Sequence, residues 1–266
     1  DDASMQEQTY SRSISQVTAT WWNDSFWEDW DNDGVAETLC HRTIGVFWFD
    51  SDGIPGPERI ILVRTTHCSH DRDGDGHDDI FFTRFRGLDL VDQNSDGIPE
   101  RHDVLTRTVW TWDNGTYEDV NIHLFAHART DVDQDGNLER RVVLNRDQRM
   151  VDQGIGSVLT AYFSHSRLIL RVDSNDDGTP ERWMAIDHTS WVWDPTEDGN
   201  ADRHRDNLRA VVTRDTDSDG SVDVVRALHQ NTVQFDNDSN GVVELQWTWR
   251  AGVLKVDTDH DGDLDY

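Results

Sequence analysis

The feature that most limits what this chain can fold into is a glycine frame with a step of 21 residues, seen in Gly178, Gly199, Gly220, Gly241 and Gly262. The same step separates Gly76 from Gly97 and Gly115 from Gly136, and Gly34, Gly53 and Gly154 keep the frame with small insertions or deletions, making twelve units. A period of this length marks a repeat architecture, in which stacked neighbours bury what one unit cannot bury alone. Each unit opens with an acidic loop, runs through about five strand-like residues, crosses a few polar ones and returns through a second strand-like run. That pattern predicts one β-hairpin per unit. In the last full unit Leu245, Trp247 and Trp249 alternate with polar residues, Arg250-Ala251-Gly252 reads as a turn, and Val253 to Val256 lead back to Asp257. Consecutive hairpins of this kind form an antiparallel meander with every acidic loop at the same end of the sheet.

Alternate units differ. Trp110-Thr111-Trp112-Asp113, Trp191-Val192-Trp193-Asp194 and Gln234-Phe235-Asp236 approach their loops through aromatics, whereas Arg129-Thr130-Asp131, Arg171-Val172-Asp173, Thr213-Arg214-Asp215 and Lys255-Val256-Asp257 are basic or aliphatic, so the larger period is 42 residues. The expected organisation is a single all-β domain over residues 1–266, with units at about 5–46, 47–88, 89–128, 129–170, 171–212 and 213–254 and a tail at 255–266. Four strands per unit in radial array describe a six-bladed β-propeller whose tail pairs with the run from Ser11 to Trp22; an open or spiral hairpin stack is the rival arrangement.

The loops carry the chemistry. Eight place oxygen donors at positions 1, 3 and 5, Gly at 6 and an acid at 9. They are Asp29/Asp31/Asp33/Glu37, Asp71/Asp73/Asp75/Asp79, Asp92/Asn94/Asp96/Glu100, Asp131/Asp133/Asp135/Glu139, Asp173/Asn175/Asp177/Glu181, Asp215/Asp217/Asp219/Asp223, Asp236/Asp238/Asn240/Glu244 and Asp257/Asp259/Asp261/Asp265. A ninth, Asp194/Thr196/Asp198/Asp202, offers only a hydroxyl at position 3, and the shortened segments around Asp50/Asp52, Asp113 and Asp152 read as ordinary turns. Calcium takes six to eight oxygens near 2.4 Å, and carboxylates at alternate positions of a tight turn, with a glycine where the backbone reverses, supply them. Magnesium resists so crowded a cage and zinc prefers His and Cys, so the expected cofactor is Ca2+, about eight or nine ions. Asp, Asn and Gly favour solvated turns without any metal, but turn propensity does not ask for acids at 1, 3, 5 and 9 together, eight times in frame.

Charge points the same way. With 53 Asp and Glu against 24 Lys and Arg the chain carries −29, a self-repulsion that bound counterions relieve. Eight divalent ions bring it to −13. Nucleic acid is excluded as a partner by that balance, since binding it takes cations to neutralise phosphates. No apolar run is long enough for a membrane span. The 35% hydrophobic content leans toward disorder, yet 12 Trp, 9 Phe and 4 Tyr spread along the chain beside β-branched residues favour a folded sheet. A start at Asp1-Asp2-Ala3-Ser4 fits a mature exported product. Low-affinity calcium loops in number suit a secreted or cell-surface, extracellular setting, where calcium is millimolar. Cys40 and Cys68 are compatible with either a disulfide or free thiols.

The loops resemble the D-x-D-x-D-G-x-x-D calcium loops of FG-GAP and VCBS propellers and of thrombospondin type 3 repeats, and the hairpin frame is similar in length to the YD repeats of Rhs-type shells. The likeness extends over essentially the whole chain at the level of the motif. It implies an extracellular, calcium-stabilised, adhesive or scaffolding role.

Other features carry less. The Trp-x-Trp pairs 110/112, 191/193 and 247/249 put two rings on one face of a strand, for core packing or for stacking on sugars. The Arg of each Glu-Arg pair at 58/59, 100/101, 139/140 and 181/182 is expected to bridge to the next loop or to stay solvated. His67, Cys68 and His70 cannot all face one ion from one strand, and no catalytic carboxylate is set apart from the rest. Three functions follow: a calcium-binding structural or adhesive protein that associates with itself, with other surface proteins or with glycans, and forms filaments if its edges stay open; a calcium-dependent carbohydrate-binding propeller; and a hydrolase or lyase with calcium in a propeller channel.

Overall fold

The computed structural model describes residues 6–8, 17–28, 38–50, 56–72, 74, 76–114, 117–153, 159–196, 198–259, 261 and 263–265. Its elements are all strands: β1 (Gln6–Gln8), β2 (Val17–Glu28), β3 (Thr38–Phe49), β4 (Arg59–His70), β5 (Ile80–Val91), β6 (Arg101–Asp113), β7 (Glu118–Thr130), β8 (Arg140–Asp152), β9 (Ala161–Val172), β10 (Arg182–Trp193), β11 (Arg203–Arg214), β12 (Val224–Phe235) and β13 (Leu245–Val256). They form one antiparallel sheet in sequence order, each strand paired with its chain neighbours, open at both edges.

The all-β class and the repeat stand, but the unit is not a hairpin. One 21-residue unit is one strand of 12 residues, about 40 Å long, plus one nine-residue loop. Arg250, Ala251 and Gly252, expected to turn, lie in the middle of β13, opposite Gln230, His229 and Leu228 of β12. The polar residues at mid-unit do not reverse the chain because they pair across strands. His188 bonds Asp206 at 2.7 Å, His123 bonds Asp147 at 2.6 Å, and Arg42 forms an ion pair with Asp24. A hairpin is therefore two units, the 42-residue period, and consecutive loops stand at opposite ends of the sheet. The basic or aliphatic approaches lead into one end, with loops at 92–100, 131–139, 173–181, 215–223 and 257–265; the aromatic approaches lead into the other, with loops at 71–79, 194–202 and 236–244.

The same strand length replaces the six four-stranded blades with one continuous sheet. Residues 255 and 256 end β13, which pairs with β12 alone, and β2 pairs with β1 and β3, so the tail does not close a ring; Ser11 to Gln16 lie outside the described residues. The solvent-accessible surface is 16799 Å2, roughly 1.4 times the ~11,900 Å2 of a compact globule of this mass. Among the described residues the only buried apolar side chains are Cys40 and Val151. Apolar side chains form half-buried belts on both faces instead, such as Val142, Leu170 and Met184 on one face and Val143, Ile169 and Ala185 on the other. The Trp-x-Trp pairs do not reach a core: Trp110, Trp112, Trp247 and Trp249 are exposed and Trp191 and Trp193 half-buried. Cys40 and Cys68, directly opposite on β3 and β4, form a disulfide.

Candidate metal loops

Each loop is built from its first aspartate. Its Oδ2 accepts the N–H of the position 6 glycine in the loops that start at Asp71, Asp92, Asp131, Asp173, Asp194, Asp215 and Asp236, at 2.7 to 3.2 Å. That closure needs a left-handed residue at position 6, and Gly97, Gly136, Gly178, Gly199, Gly220 and Gly241 all have φ between 83° and 97°. The position 5 oxygen accepts the N–H of position 7, as in Asp96 to Ile98 at 2.8 Å and Asp135 to Asn137 at 2.7 Å. The position 9 acid reaches back to the N–H of position 2, as in Glu100 to Gln93 and Glu244 to Asn237, both 2.7 Å.

In this frame one carboxylate oxygen holds the backbone while its twin is left for something else. Asp173 is 4% exposed, its Oδ2 accepts the Gly178 N–H at 2.9 Å, and its Oδ1 is buried without a hydrogen-bond partner. Asp131 Oδ1 and Glu181 Oε1 are in the same condition. A buried carboxylate oxygen without a donor is costly, and a cation removes that cost. The acids of four loops also converge: Asp131/Asp133/Glu139, Asp173/Asp177/Glu181, Asp215/Asp217/Asp223 and Asp236/Asp238/Glu244 each bring carboxylate oxygens within 4.8 Å of one another. That is the separation allowed to oxygens around one ion near 2.4 Å. Hard oxygen donors, three or more acids and a tight turn fit calcium, so the residues present suit the implied metal.

Three expected ligands of these loops, Asn175, Asp219 and Asn240, are not among the oxygens that converge in the four clusters. The reason is local: their side chains shape the turn. Asn175 at position 3 accepts the Asp177 N–H on its Oδ1 at 3.3 Å and donates its amide to Asp177 Oδ2 at 3.0 Å. At position 5, Asp219 Oδ1 accepts the Ser221 N–H at 2.7 Å and Asn240 Oδ1 the Val242 N–H at 2.8 Å.

The remaining expected ligands divide as follows. Asn94, Asp96 and Glu100 occupy the same hydrogen-bonded frame around Asp92, as do Asp198 and Asp202 around Asp194 and Asp261 and Asp265 beyond Asp257. The charges of Asp261, Asp265 and Asp257, with some desolvation, raise the Asp259 carboxyl above its ordinary value. Asp79 accepts the Arg72 N–H. Asp29, Asp31, Asp33, Glu37, Asp73 and Asp75 lie outside the described residues. The Glu-Arg pairs do not bridge loops: Arg59 forms a bidentate ion pair with Asp89 of β5, and Arg101 pairs with Asp103 of its own strand. His67 bonds Thr83, His70 bonds Thr38 and Cys68 is in the disulfide, so they form no metal cluster.

One set of residues escaped the sequence reading. Loops of the same end are stitched together: the position 1 N–H donates to the position 9 carbonyl of the previous loop at that end, as in Asp131 to Glu100 at 2.8 Å, Asp173 to Glu139 at 2.9 Å and Asp215 to Glu181 at 2.9 Å. Position 4 then enters the neighbouring ligand set. Gln134 Nε2 donates to the Ile98 carbonyl at 2.9 Å and to Glu100 Oε1 at 3.2 Å, Ser239 donates to Asp202, and Asp176 joins Asp133 and Asp135 in a cluster within 4.8 Å. Position 4 is left-handed without being glycine in Ser95, Gln134, Asp176, Ser218 and Ser239, with φ from 55° to 63°, a strained state held by the loop. Partial desolvation and the Asp133 and Asp135 charges push the Asp176 carboxyl up to about 6. Glu181 is desolvated too, but hydrogen bonds from the Ser174 backbone and hydroxyl hold it below the usual carboxylate range. A polar position 4 facing a loop 42 residues earlier is a signal present in the sequence, readable once the strand length is known. Compared with known protein families, curated proteins and solved structures, the chain matches none.

Proposed function

We propose that this chain is a secreted, calcium-binding structural or adhesive protein of the cell surface, its acidic loops holding two rows of Ca2+ at the ends of the sheet. The observation that carries the reading is Asp173, a carboxylate 4% exposed whose Oδ1 has no partner and which sits within 4.8 Å of Asp177 and Glu181 oxygens. Because same-end loops share hydrogen bonds and position 4 side chains, an ion in one loop orders the next, and the ions take over cohesion that a core supplies in other folds. The sheet edges favour self-association into filaments, since an unpaired strand edge is a template for another chain. Calcium titration by calorimetry, with melting followed in parallel, tests the metal reading: several ions bind and melting rises, whereas a melting temperature indifferent to EDTA sinks it. Sedimentation over a range of concentrations tests self-association, and a monomer at all of them removes the filament.

A further inference from the structure

The net charge hides a segregation that the register exposes. Strands β2 to β13 hold 22 of the 24 Lys and Arg and only 11 of the 53 Asp and Glu, so the sheet itself is cationic and the acids belong to the loops at its two ends. The exclusion of polyanions drawn from the total of −29 therefore does not extend to the faces of the sheet.

On one face the cations meet without counter-charges. Arg64 of β4 and Arg86 of β5 are directly opposite each other, and Arg84 lies two residues along on the same face, opposite Thr66. Like charges facing across a ladder oppose pairing. Among the described residues none of the three makes an ion pair, and Arg84 Nε is buried with no hydrogen-bond partner. Desolvation, with Arg86 and Arg64 adding repulsion, lowers the Arg84 guanidinium below its ordinary value. Thr106 and Thr108 of β6 stand opposite Arg86 and Arg84, so the cluster carries hydroxyls beside its cations.

Next to it on the same face runs a row of rings. Phe82 and Trp110 touch at 4.3 Å between centroids and, with Thr66 and the Cys40–Cys68 disulfide, line a hollow of about 500 Å3. Trp110 also lines a second hollow of about 520 Å3 with Phe163 and Trp191, and these two rings line a third, of about 450 Å3, with Arg205 and Asn207. The shared rings make one groove from β2 to β11, about 40 Å long at the spacing of strands. Trp110 is 51% exposed and Phe163 38%, so ring area remains open.

We propose that this groove binds an acidic polysaccharide, its carboxylate or sulfate groups held by Arg64, Arg84 and Arg86 and its sugar rings stacked on Phe82, Trp110, Phe163 and Trp191. Guanidiniums recognise planar oxyanions through paired N–H bonds, and the neighbouring Thr and Asn side chains suit sugar hydroxyls. A nucleic acid also offers anions and rings. It is disfavoured by the carboxylate rows at both ends of the groove's strands and by hydrogen-bonding side chains fitted to hydroxyls. The proposal does not rest on the metal reading.

The test is calorimetric titration of the calcium-loaded full chain with an oligouronate, a sulfated oligosaccharide, a neutral oligosaccharide of equal length and a single-stranded oligonucleotide. At least one acidic oligosaccharide binds, the two arms telling carboxylate from sulfate, and the neutral chain and the oligonucleotide bind at least about tenfold more weakly. Arg84→Gln with Arg86→Gln weakens binding about tenfold or more, Trp110→Ala does likewise, and Arg107→Gln on the opposite face changes it less than about twofold. Melting temperatures of the variants stay at the wild-type value, so the losses belong to the groove. Absence of binding, equal losses in all variants, or preference for the oligonucleotide overturns the proposal. So does binding that EDTA abolishes while the arginine variants leave it unchanged, because the ions would then be bridging the glycan to the loops.

Discussion

Replacing Asp173 with Asn separates a metal ligand from a structural carboxylate. The amide keeps an oxygen to accept the Gly178 N–H, now at 2.9 Å, but loses the charge and the unpartnered second oxygen. At calcium a hundredfold above the dissociation constant, one site contributes about 2.7 kcal/mol to folding; a site weakened about a hundredfold contributes about 0.4, a loss of roughly 2.3 kcal/mol. For a chain of this size that is a fall of roughly 5–9 °C in melting temperature. In EDTA the sign differs: removing a charge that has Asp177 and Glu181 oxygens within 4.8 Å leaves melting unchanged or raises it. The assay is a melt of wild type and Asp173→Asn, each in calcium and in chelator. An equal fall in both conditions means that Asp173 serves the backbone alone, and no fall in calcium means that it is not a ligand; either refutes the reasoning.

Asp176→Asn probes the coupling between loops. In the metal-free chain the carboxyl titrates at about 6, above the 3.8 of the free group, so the folded state holds this proton more tightly than the unfolded one. Its stabilising contribution is present below pH 3.8 and is lost as pH rises through about 6. Without metal, Asp176→Asn thus raises the melting temperature at about pH 7.5 and leaves it unchanged at about pH 3.5, while in calcium at the higher pH it lowers both melting temperature and affinity. The same sign of change in calcium and in EDTA at that higher pH contradicts a bridging ligand. Gly241→Ala places a Cβ 3.1 Å from Asn200 Oδ1 at a φ of 83°, costing about 1–2 kcal/mol by chemical denaturation; a neutral result denies the stacking of loops 194–202 and 236–244. Replacing Cys40 and Cys68 together opens a cross-link over a separation of 28 residues, with a loss of roughly 3–4 kcal/mol. It falls first on β2 to β5, and hydrogen exchange that rises evenly across all strands contradicts so local a role.

Much of the fold was legible because its punctuation is chemical. The glycine frame marked every described turn between regular units, and the position 1 and 9 acids lie where the loops begin and end. What misled was the middle of the units. Arg250-Ala251-Gly252 and the His, Arg, Asn and Asp residues at equivalent places look like turns because a strand in an ordinary sandwich is seldom polar at its centre. In a single open layer no second sheet dehydrates that region, so His188 and Asp206 face solvent and pair across strands at no great cost. Within the loops, spacing gave the donors without their division of labour: Asn175, Asp219 and Asn240 sit at ligand positions but spend an oxygen on the backbone, which only the hydrogen-bond geometry reveals. The 42-residue alternation was visible too, but its cause, two chemically different ends of one sheet, depends on strand length, which periodicity alone does not give. For the same reason position 4 and the cationic faces stayed hidden, since both follow from the register between strands.

Anomalous diffraction from a calcium- or lanthanide-soaked crystal tests the central claim most directly. The account places ions inside the acidic loops in two rows, about 10 Å apart within a row and the rows about 40 Å apart, following the spacing and length of the strands. Loops free of anomalous density in a metal-replete crystal, with the Asp173 and Glu181 carboxylates turned to solvent, contradict it.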